Sequence, residues 1–226
     1  MSLWLAFDAG SPVTSAAVAR DGARLAESSG ESRSGPSLLH QIDASLRRAA
    51  IATTDLDGIV VLSGPGSFTG IRVALATALG FRAGLAVPVV ALSNLAALAI
   101  DAAAGSSAAE AASAPGERVV ALVDALREEW FVQEFERREG GLVTIAEPAR
   151  QAVAQIAPPP GALLAAHATQ PLPARFAEPP VHRVHRASAL SAAVAVAASA
   201  GTIDDLVSAE LRPLYLRGFT PRNPGR

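Results

Sequence analysis

The sequence predicts an α/β protein made of two related lobes, and three observations predict it. An apolar strand ending in an acid, followed by a turn, a strand, a second turn and a third strand, opens the chain at Leu3 to Asp8 and recurs from Arg118 to Asp124. After the first triplet, segments with apolar residues at helical spacing alternate with short continuous apolar runs, the mark of strands buried under helices. A small, polar, turn-rich stretch, Ala104 to Gly116, lies between the two halves. The 226 residues therefore divide into an N-terminal lobe 1–103, a linker 104–117 and a C-terminal lobe 118–226. The repeat is one of pattern and not of letters.

Taken in order, Leu3 to Phe7 is an apolar run broken by Asp8-Ala9-Gly10-Ser11-Pro12. Ser15 to Arg20 and Ala23 to Ser28 flank Asp21-Gly22, a hairpin signal because both residues tolerate positive φ. Ser37 to Ala50 carries Leu38, Leu39, Ile42, Leu46 and Ala49 on one helical stripe, with Pro36 where a first turn accepts it. Gly58 to Leu62 reads as a buried strand, Gly64 to Gly70 as a glycine-rich turn, and Ile71 to Leu85 as a helix ended by Gly84 and Pro88. Val89 to Leu92 is a strand, and Ser93 caps a third helix running to Ala103. In the second half, Arg118 to Asp124, Trp130 to Arg137 and Leu142 to Ile145 are strands, with a Gly140-Gly141 turn before the last. Gly161 to Ala166 is a strand between Pro158-Pro159-Pro160 and Pro179-Pro180, Ala187 to Ala200 is an alanine-rich helix closed by Gly201, and Leu211 to Leu216 is a final extended segment.

Composition removes much chemistry. With no cysteine, thiolate nucleophiles, iron–sulfur clusters and thiolate zinc sites are excluded. Every one of the 19 basic residues is arginine, so a phosphate-binding P-loop lysine or a Schiff-base lysine cannot exist. A net charge of −2 gives no global electrostatic reason to hold nucleic acid or an anionic membrane. The first eight residues lack a basic region before the apolar run, and no apolar run approaches the roughly 18 residues of a membrane span. The expectation is a soluble, cytoplasmic protein.

The segment Gly64-Pro65-Gly66-Ser67-Phe68-Thr69-Gly70-Ile71-Arg72 is the most informative. Such a strand-to-helix turn either places backbone N–H groups at an anion, with Gly66, Ser67, Thr69 and the nearby strand-end Asp8 as candidate anion-site residues, or is a structural turn capped by Ser67 or Thr69. Its spacing fits neither the P-loop nor the dinucleotide fingerprint. The helix that follows carries only Arg72 and Arg82 as charges. Ile71, Leu75, Leu79, Phe81 and Leu85 gather on one side, and the small residues Val73, Ala76, Thr77, Gly80, Ala83 and Gly84 on the other. A helix apolar nearly all round is buried on both sides, either inside its own domain or against a partner helix that the small residues admit closely.

Asp8 and Asp124 end the two first strands, as metal–nucleotide ligands or as turn caps; Pro12 removes a donor from the loop after Asp8 and favours the cap. Of His40, His167, His182 and His185, none forms a metal-binding pair at helical spacing, His182 and His185 have no acid near them in sequence, and His40 lies off the apolar stripe of its helix. The arginine pairs Arg47-Arg48 and Arg137-Arg138 read as solvated faces. No nucleophile–base set emerges.

Gly64 to Arg72 (GPGSFTGIR), continued by Ala74-Leu75-Ala76-Thr77-Ala78, Val87-Pro88-Val89 and Leu92-Ser93-Asn94-Leu95-Ala96-Ala97-Leu98-Ala99, closely resembles the TsaB (YeaZ) family. Leu5-Ala6-Phe7-Asp8, Asp124-Ala125 with Glu129, and Pro213-Leu214-Tyr215-Leu216-Arg217 extend the likeness over the whole chain. The resemblance implies two ribonuclease-H-like lobes of the actin, heat-shock ATPase and sugar kinase superfamily. It further implies a non-catalytic scaffold and activator for N6-threonylcarbamoyladenosine modification of tRNA, binding the catalytic paralogue TsaD and working with the ATPase TsaE. ATP and metal would then belong to those partners, with no cofactor on this chain and tRNA contacted only indirectly. The implied interface is Leu38, Leu39, Ile42 and Leu46 from the first helix and Val73, Ala76, Thr77, Gly80, Ala83 and Gly84 from the second, a surface that would also serve a homodimer. The alternative is an autonomous enzyme of the same fold, an ATP-dependent phosphotransferase or a glycoprotease-like metallopeptidase. Three departures from the family pattern, at Arg33-Ser34-Gly35-Pro36-Ser37 where a histidine is common, at Asp124-Ala125-Leu126 and at Ala9, all bear on nucleotide or metal binding and not on the interface.

Overall fold

The computed structural model describes residues 1–30, 35–105, 116–139, 141–177 and 183–216. Most of the linker, Arg33-Ser34, Gly140, Pro179-Pro180, His182 and Arg217 lie outside them. The first sheet is built by β1 (Leu3–Asp8), β2 (Thr14–Arg20) and β3 (Ala23–Gly30) as an antiparallel meander, with β4 (Gly58–Leu62) and β5 (Val89–Leu92) added in parallel on the other side of β1. Asp21 and Gly22 both adopt positive φ, 49° and 80°, the twist a two-residue hairpin turn needs. The parallel crossovers carry α1 (Gly35–Ala49) and α2 (Phe68–Gly84).

The second sheet contains β6 (Arg118–Asp124), β7 (Glu129–Arg138), β8 (Gly141–Thr144), β10 (Leu163–His167) and β11 (Arg183–Ala187), in the order β11-β10-β6-β7-β8, with β9 (Ala149–Ala152) pairing with β7 beside them. Read from its other edge, β8-β7-β6-β10-β11, this order and its antiparallel-then-parallel pairing are those of the first sheet, β3-β2-β1-β4-β5. The duplication seen in the first three strands of each half therefore extends to the next two. β9 and β11 were not expected: each is short, and β11 consists of arginines and a histidine among small residues, without an alternating apolar face. A short helix, α4 (Ala174–Ala177), precedes β11, and the alanine-rich helix starts four residues later than expected because β11 takes residues up to Ala187; α5 is Ser191–Ser199.

The helices cross between the halves. The third helix, α3 (Asn94–Gly105), follows the first sheet in sequence but packs on β6, β7, β10 and β11, whereas α5, from the second half, packs on β1, β2 and β3. Both lie between the sheets, in one continuous core that includes Ala6, Val60 and Leu62 from one sheet and Val119, Phe135 and Ala165 from the other. This explains their composition, because a helix between two sheets has no polar face to show. The outer face of the first sheet is covered by α1 and α2 over Phe7, Ile59 and Val61, and that of the second by Ile156 and Phe176.

This arrangement corrects part of the expected interface. Leu38, Ile42 and Leu46 form the stripe by which α1 sits on β2 and β3, and all three are buried, Leu38 completely. Ser45 on the same face donates to the Ala16 carbonyl at 2.7 Å. These residues are core, with no area left for a partner. Leu39, 55% exposed, is the leucine that α1 turns outward.

Candidate functional site: an uncovered helix face above a closed loop

The helix α2 begins three residues earlier than its apolar pattern indicates, because Ser67 caps it: the Ser67 hydroxyl accepts from the Gly70 N–H at 3.3 Å. The Ser67 N–H in turn donates to the Gly10 carbonyl at 2.8 Å. Gly66 and Gly70 make this approach possible, since a Cβ on Gly66 would run into the Gly10 carbonyl and one on Gly70 into the Ala9 carbonyl. The glycine-rich segment is thus pressed onto the loop after β1.

Beneath it lies a buried knot. Asp8 is fully buried, and its Oδ1 accepts from the Gly10 N–H at 2.7 Å and from Asn94 Nδ2 at 3.2 Å. Asn94 Nδ2 also reaches Ser11 Oγ at 3.0 Å, while Asn94 Oδ1 accepts from the Gly64 N–H at 2.7 Å. Burial pushes the Asp8 carboxyl above its ordinary value, against the hydrogen bonds from Ser11, Gly10 and Asn94 that pull it down. Among the described residues its Oδ2 has no hydrogen-bond partner. Asn94 ties three segments together, and sequence reasoning missed it because its partners stand 30 to 86 residues away.

The candidate anion-site residues do not converge. A cleft of about 410 Å³ between the sheets has Gly66 and Ser67 on one wall and Asp124 and His167 on the other. Asp8 is sealed behind Gly10 and Ser11, and Thr69 is exposed on the first turn of α2, away from the cleft. The Ser67 amide and hydroxyl are already satisfied within the chain, and among the described residues no arginine lines the cleft and the charge it presents is the Asp124 carboxylate. Among the described residues these groups supply no cation for a nucleotide's phosphates. Asp124 caps its own turn, its Oδ1 accepting from the Leu126 N–H at 2.7 Å. His185 does have an acid beside it, contrary to the reading from sequence: Asp101 on α3 lies 2.6 Å from its Nε2. His40 is exposed on α1. Among the described residues no three His, Asp or Glu side chains come together as a metal site, and no helix is long and apolar enough to cross a membrane.

The structure leaves the small-residue side of α2 uncovered. Ile71, Ala74, Leu75 and Ala78 face the sheet, while Ala76, Gly80, Ala83 and Gly84 are exposed and Val73 and Thr77 half-buried. Among the described residues, nothing beyond the helix's own backbone and the adjoining residues lies within 4 Å of where a Cβ on Gly80 or Gly84 would stand. Leu79, grouped by its spacing with Ile71 and Leu75, is 44% exposed, and Phe68 is 52% exposed at the start of the same helix.

Two sheets of one strand order, helices shared between them and a loop closed on itself define a duplicated two-sheet α/β protein. A family model described as "TsaD: tRNA N6-adenosine threonylcarbamoyltransferase" matches residues 34–214, and the chain belongs to that family, within its TsaB (YeaZ) group. The tRNA threonylcarbamoyladenosine biosynthesis protein TsaB of Haemophilus influenzae is 34% identical over 102 residues, 45% of this chain and 40% of the relative. The protein of the same description in Escherichia coli is 30% identical over 105 residues, 46% of this chain and 42% of the relative. The chain thus matches less than half the length of these curated relatives. Two solved structures match far more of it. YeaZ from Pseudomonas aeruginosa superposes with a TM-score of 0.75 at 28% identity, over 96% of this chain and 100% of the other. A structure described as an uncharacterized protein with similarity to peptidase YEAZ from Pseudomonas aeruginosa gives 0.77 at 26% identity over the same shares.

Proposed function

We propose that this chain is a non-catalytic, activating subunit in the formation of N6-threonylcarbamoyladenosine in tRNA, and that it docks the catalytic paralogue, of the TsaD kind, through the outer face of α2. The observation that carries this reading is the exposure of Ala76, Gly80, Ala83 and Gly84, with Val73 and Thr77 half-buried beside them. The long apolar helix α3 is sandwiched between sheets, whereas α2 has one covered side and one open side. A stripe without bulk lets a second helix approach to about 8 Å, and the area gained per residue is then large. Leu39, exposed on α1, belongs to the same interface in this reading, and that interface also serves a homodimer when the partner is absent.

The closed loop supports the non-catalytic half of the reading. The Ser67 amide and hydroxyl are spent on Gly10 and Gly70, and the cleft presents a carboxylate. ATP and metal accordingly belong to the partners, the catalytic subunit and the ATPase TsaE, and the net charge of −2 leaves tRNA to be held mainly by them. The matching strand orders support the finer fold assignment, two ribonuclease-H-like lobes of the actin, heat-shock ATPase and sugar kinase superfamily, working in the cytoplasm. The test is copurification with the tagged catalytic subunit together with calorimetric titration of the isolated chain with ATP and Mg²⁺. Complex formation without nucleotide binding is the expected result. Stoichiometric ATP binding without a complex would instead support an autonomous phosphotransferase.

A further inference from the structure

The last described segment, residues 207–216, leaves the second sheet and returns to the first. Ser208 exchanges two backbone hydrogen bonds with Ala91 on the edge strand β5, 2.7 and 2.8 Å, and the Leu214 N–H donates to the Ser63 carbonyl at 2.8 Å. This delivers Tyr215 to the start of α2, where its ring stacks on Phe68 with centroids 5.2 Å apart and an interplanar angle of 29°. The Arg72 guanidinium lies 3.8 Å over the other aromatic partner, Phe68, and its Nε donates to the Tyr215 hydroxyl at 3.2 Å. Arg72 is exposed, and no carboxylate pairs with it among the described residues.

We propose that Arg72, held by Phe68 and Tyr215, reads a carboxylate on the catalytic partner, and that the returning C-terminal segment assembles this reading group. The inference rests on the docking role given to α2 above. A guanidinium already fixed by an aromatic ring and a hydroxyl loses little further freedom on binding, and its remaining N–H fork matches a carboxylate. Its position selects a protein over a nucleic acid. Arg72 stands one turn before Ala76 at the end of a neutral, small-residue stripe, whereas an RNA groove would need several cations along it. Charge also selects a different protein over a second copy. α2 contains Arg72 and Arg82 and no acid, so two copies meeting antiparallel about Thr77 would bring Arg72 of one toward Arg82 of the other. A partner presenting an acid at that end of its helix satisfies both charge and shape.

The experiment is calorimetric titration of the full chain with the catalytic subunit of the same organism, at low and high salt. The chains compared are wild type, Arg72→Ala, Arg72→Lys, Tyr215→Phe and Gly80→Glu, each checked for a cooperative melt with a midpoint no lower than that of wild type. Arg72→Ala should weaken binding about 10- to 100-fold and flatten its salt dependence, Arg72→Lys should recover part of the loss, and Tyr215→Phe, which keeps the ring and drops the acceptor, should cost about 2- to 5-fold. Affinity within about twofold of wild type for Arg72→Ala, while Gly80→Glu abolishes binding, overturns the role of Arg72 and leaves the α2 face standing. Unchanged binding by Gly80→Glu, or no binding by wild type, removes the docking reading and this inference with it. Loss of tRNA retention or of self-association by Arg72→Ala, with partner affinity intact, assigns the arginine to RNA or to a second copy and equally overturns the proposal. If Arg72→Ala does not fold, Arg72→Lys and Tyr215→Phe decide the matter by the same thresholds.

Discussion

Replacing Gly80 with glutamate separates the uncovered face of α2 from every alternative, because it should strengthen the fold and abolish docking. Gly80 is a helix-interior glycine with nothing among the described residues, beyond the helix's own backbone and the adjoining residues, within 4 Å of its missing Cβ, so a side chain there points into solvent in the isolated chain. Glycine in a helix interior is about 0.8–1.0 kcal/mol less favourable than alanine, and glutamate lies within about 0.5 kcal/mol of alanine. The substitution should therefore gain about 0.5 kcal/mol, which for a chain of this size raises the thermal midpoint by about 1–2 °C. In the complex the same side chain would place an unpaired carboxylate into a close helix–helix contact, a loss of several kcal/mol, or more than about 100-fold in affinity. Melting of the isolated variant by circular dichroism and titration with the catalytic subunit give the two numbers. A midpoint lowered by several degrees would mean that the face is covered in the folded chain, and an undiminished affinity would mean that docking happens elsewhere; either refutes the reasoning.

Other outcomes follow from the same contacts. Leu38→Ala should lower unfolding free energy by about 2–5 kcal/mol in urea titration, whereas Leu39→Ala, on the exposed side of the same helix, should stay within about 0.5 kcal/mol. Equal effects would show that the two leucines are not on opposite faces. Gly70→Ala drives a methyl into the Ala9 carbonyl and should cost at least about 1–3 kcal/mol, read by the urea midpoint, with wild-type stability contradicting the close approach of α2 to the β1–β2 loop. Asp8→Asn tests the buried carboxyl. Burial raises its pKa above the ordinary 3.8, so its contribution to stability is fully present below that value and is lost as the pH rises through the higher, folded-state value. The stability of wild type relative to Asp8→Asn should therefore increase on acidification from neutral pH, and parallel pH profiles of the two proteins would contradict the burial of a titrating group.

What the sequence determined by itself is the list of elements and the hydropathy of their faces. Alternation and turn chemistry located the hairpin at Asp21-Gly22, helical spacing located the stripe of Leu38, Ile42 and Leu46, and the mixture of small and apolar residues marked α2 as a helix with two dry sides. The motif GPGSFTGIR carried the family. What only the tertiary structure decided is what stands opposite each face, because periodicity reports the polarity of a surface and not its neighbour. Two apolar stripes looked alike in sequence, yet the bulky one on α1 meets the chain's own sheet and the small one on α2 meets solvent. The glycines that looked like an anion cradle are there because the loop after Asp8 presses against them, a contact between residues some sixty apart that no local signal encodes. The same holds for Asn94 and for Tyr215, whose partners across 86 and 143 residues exist only once the chain has returned on itself.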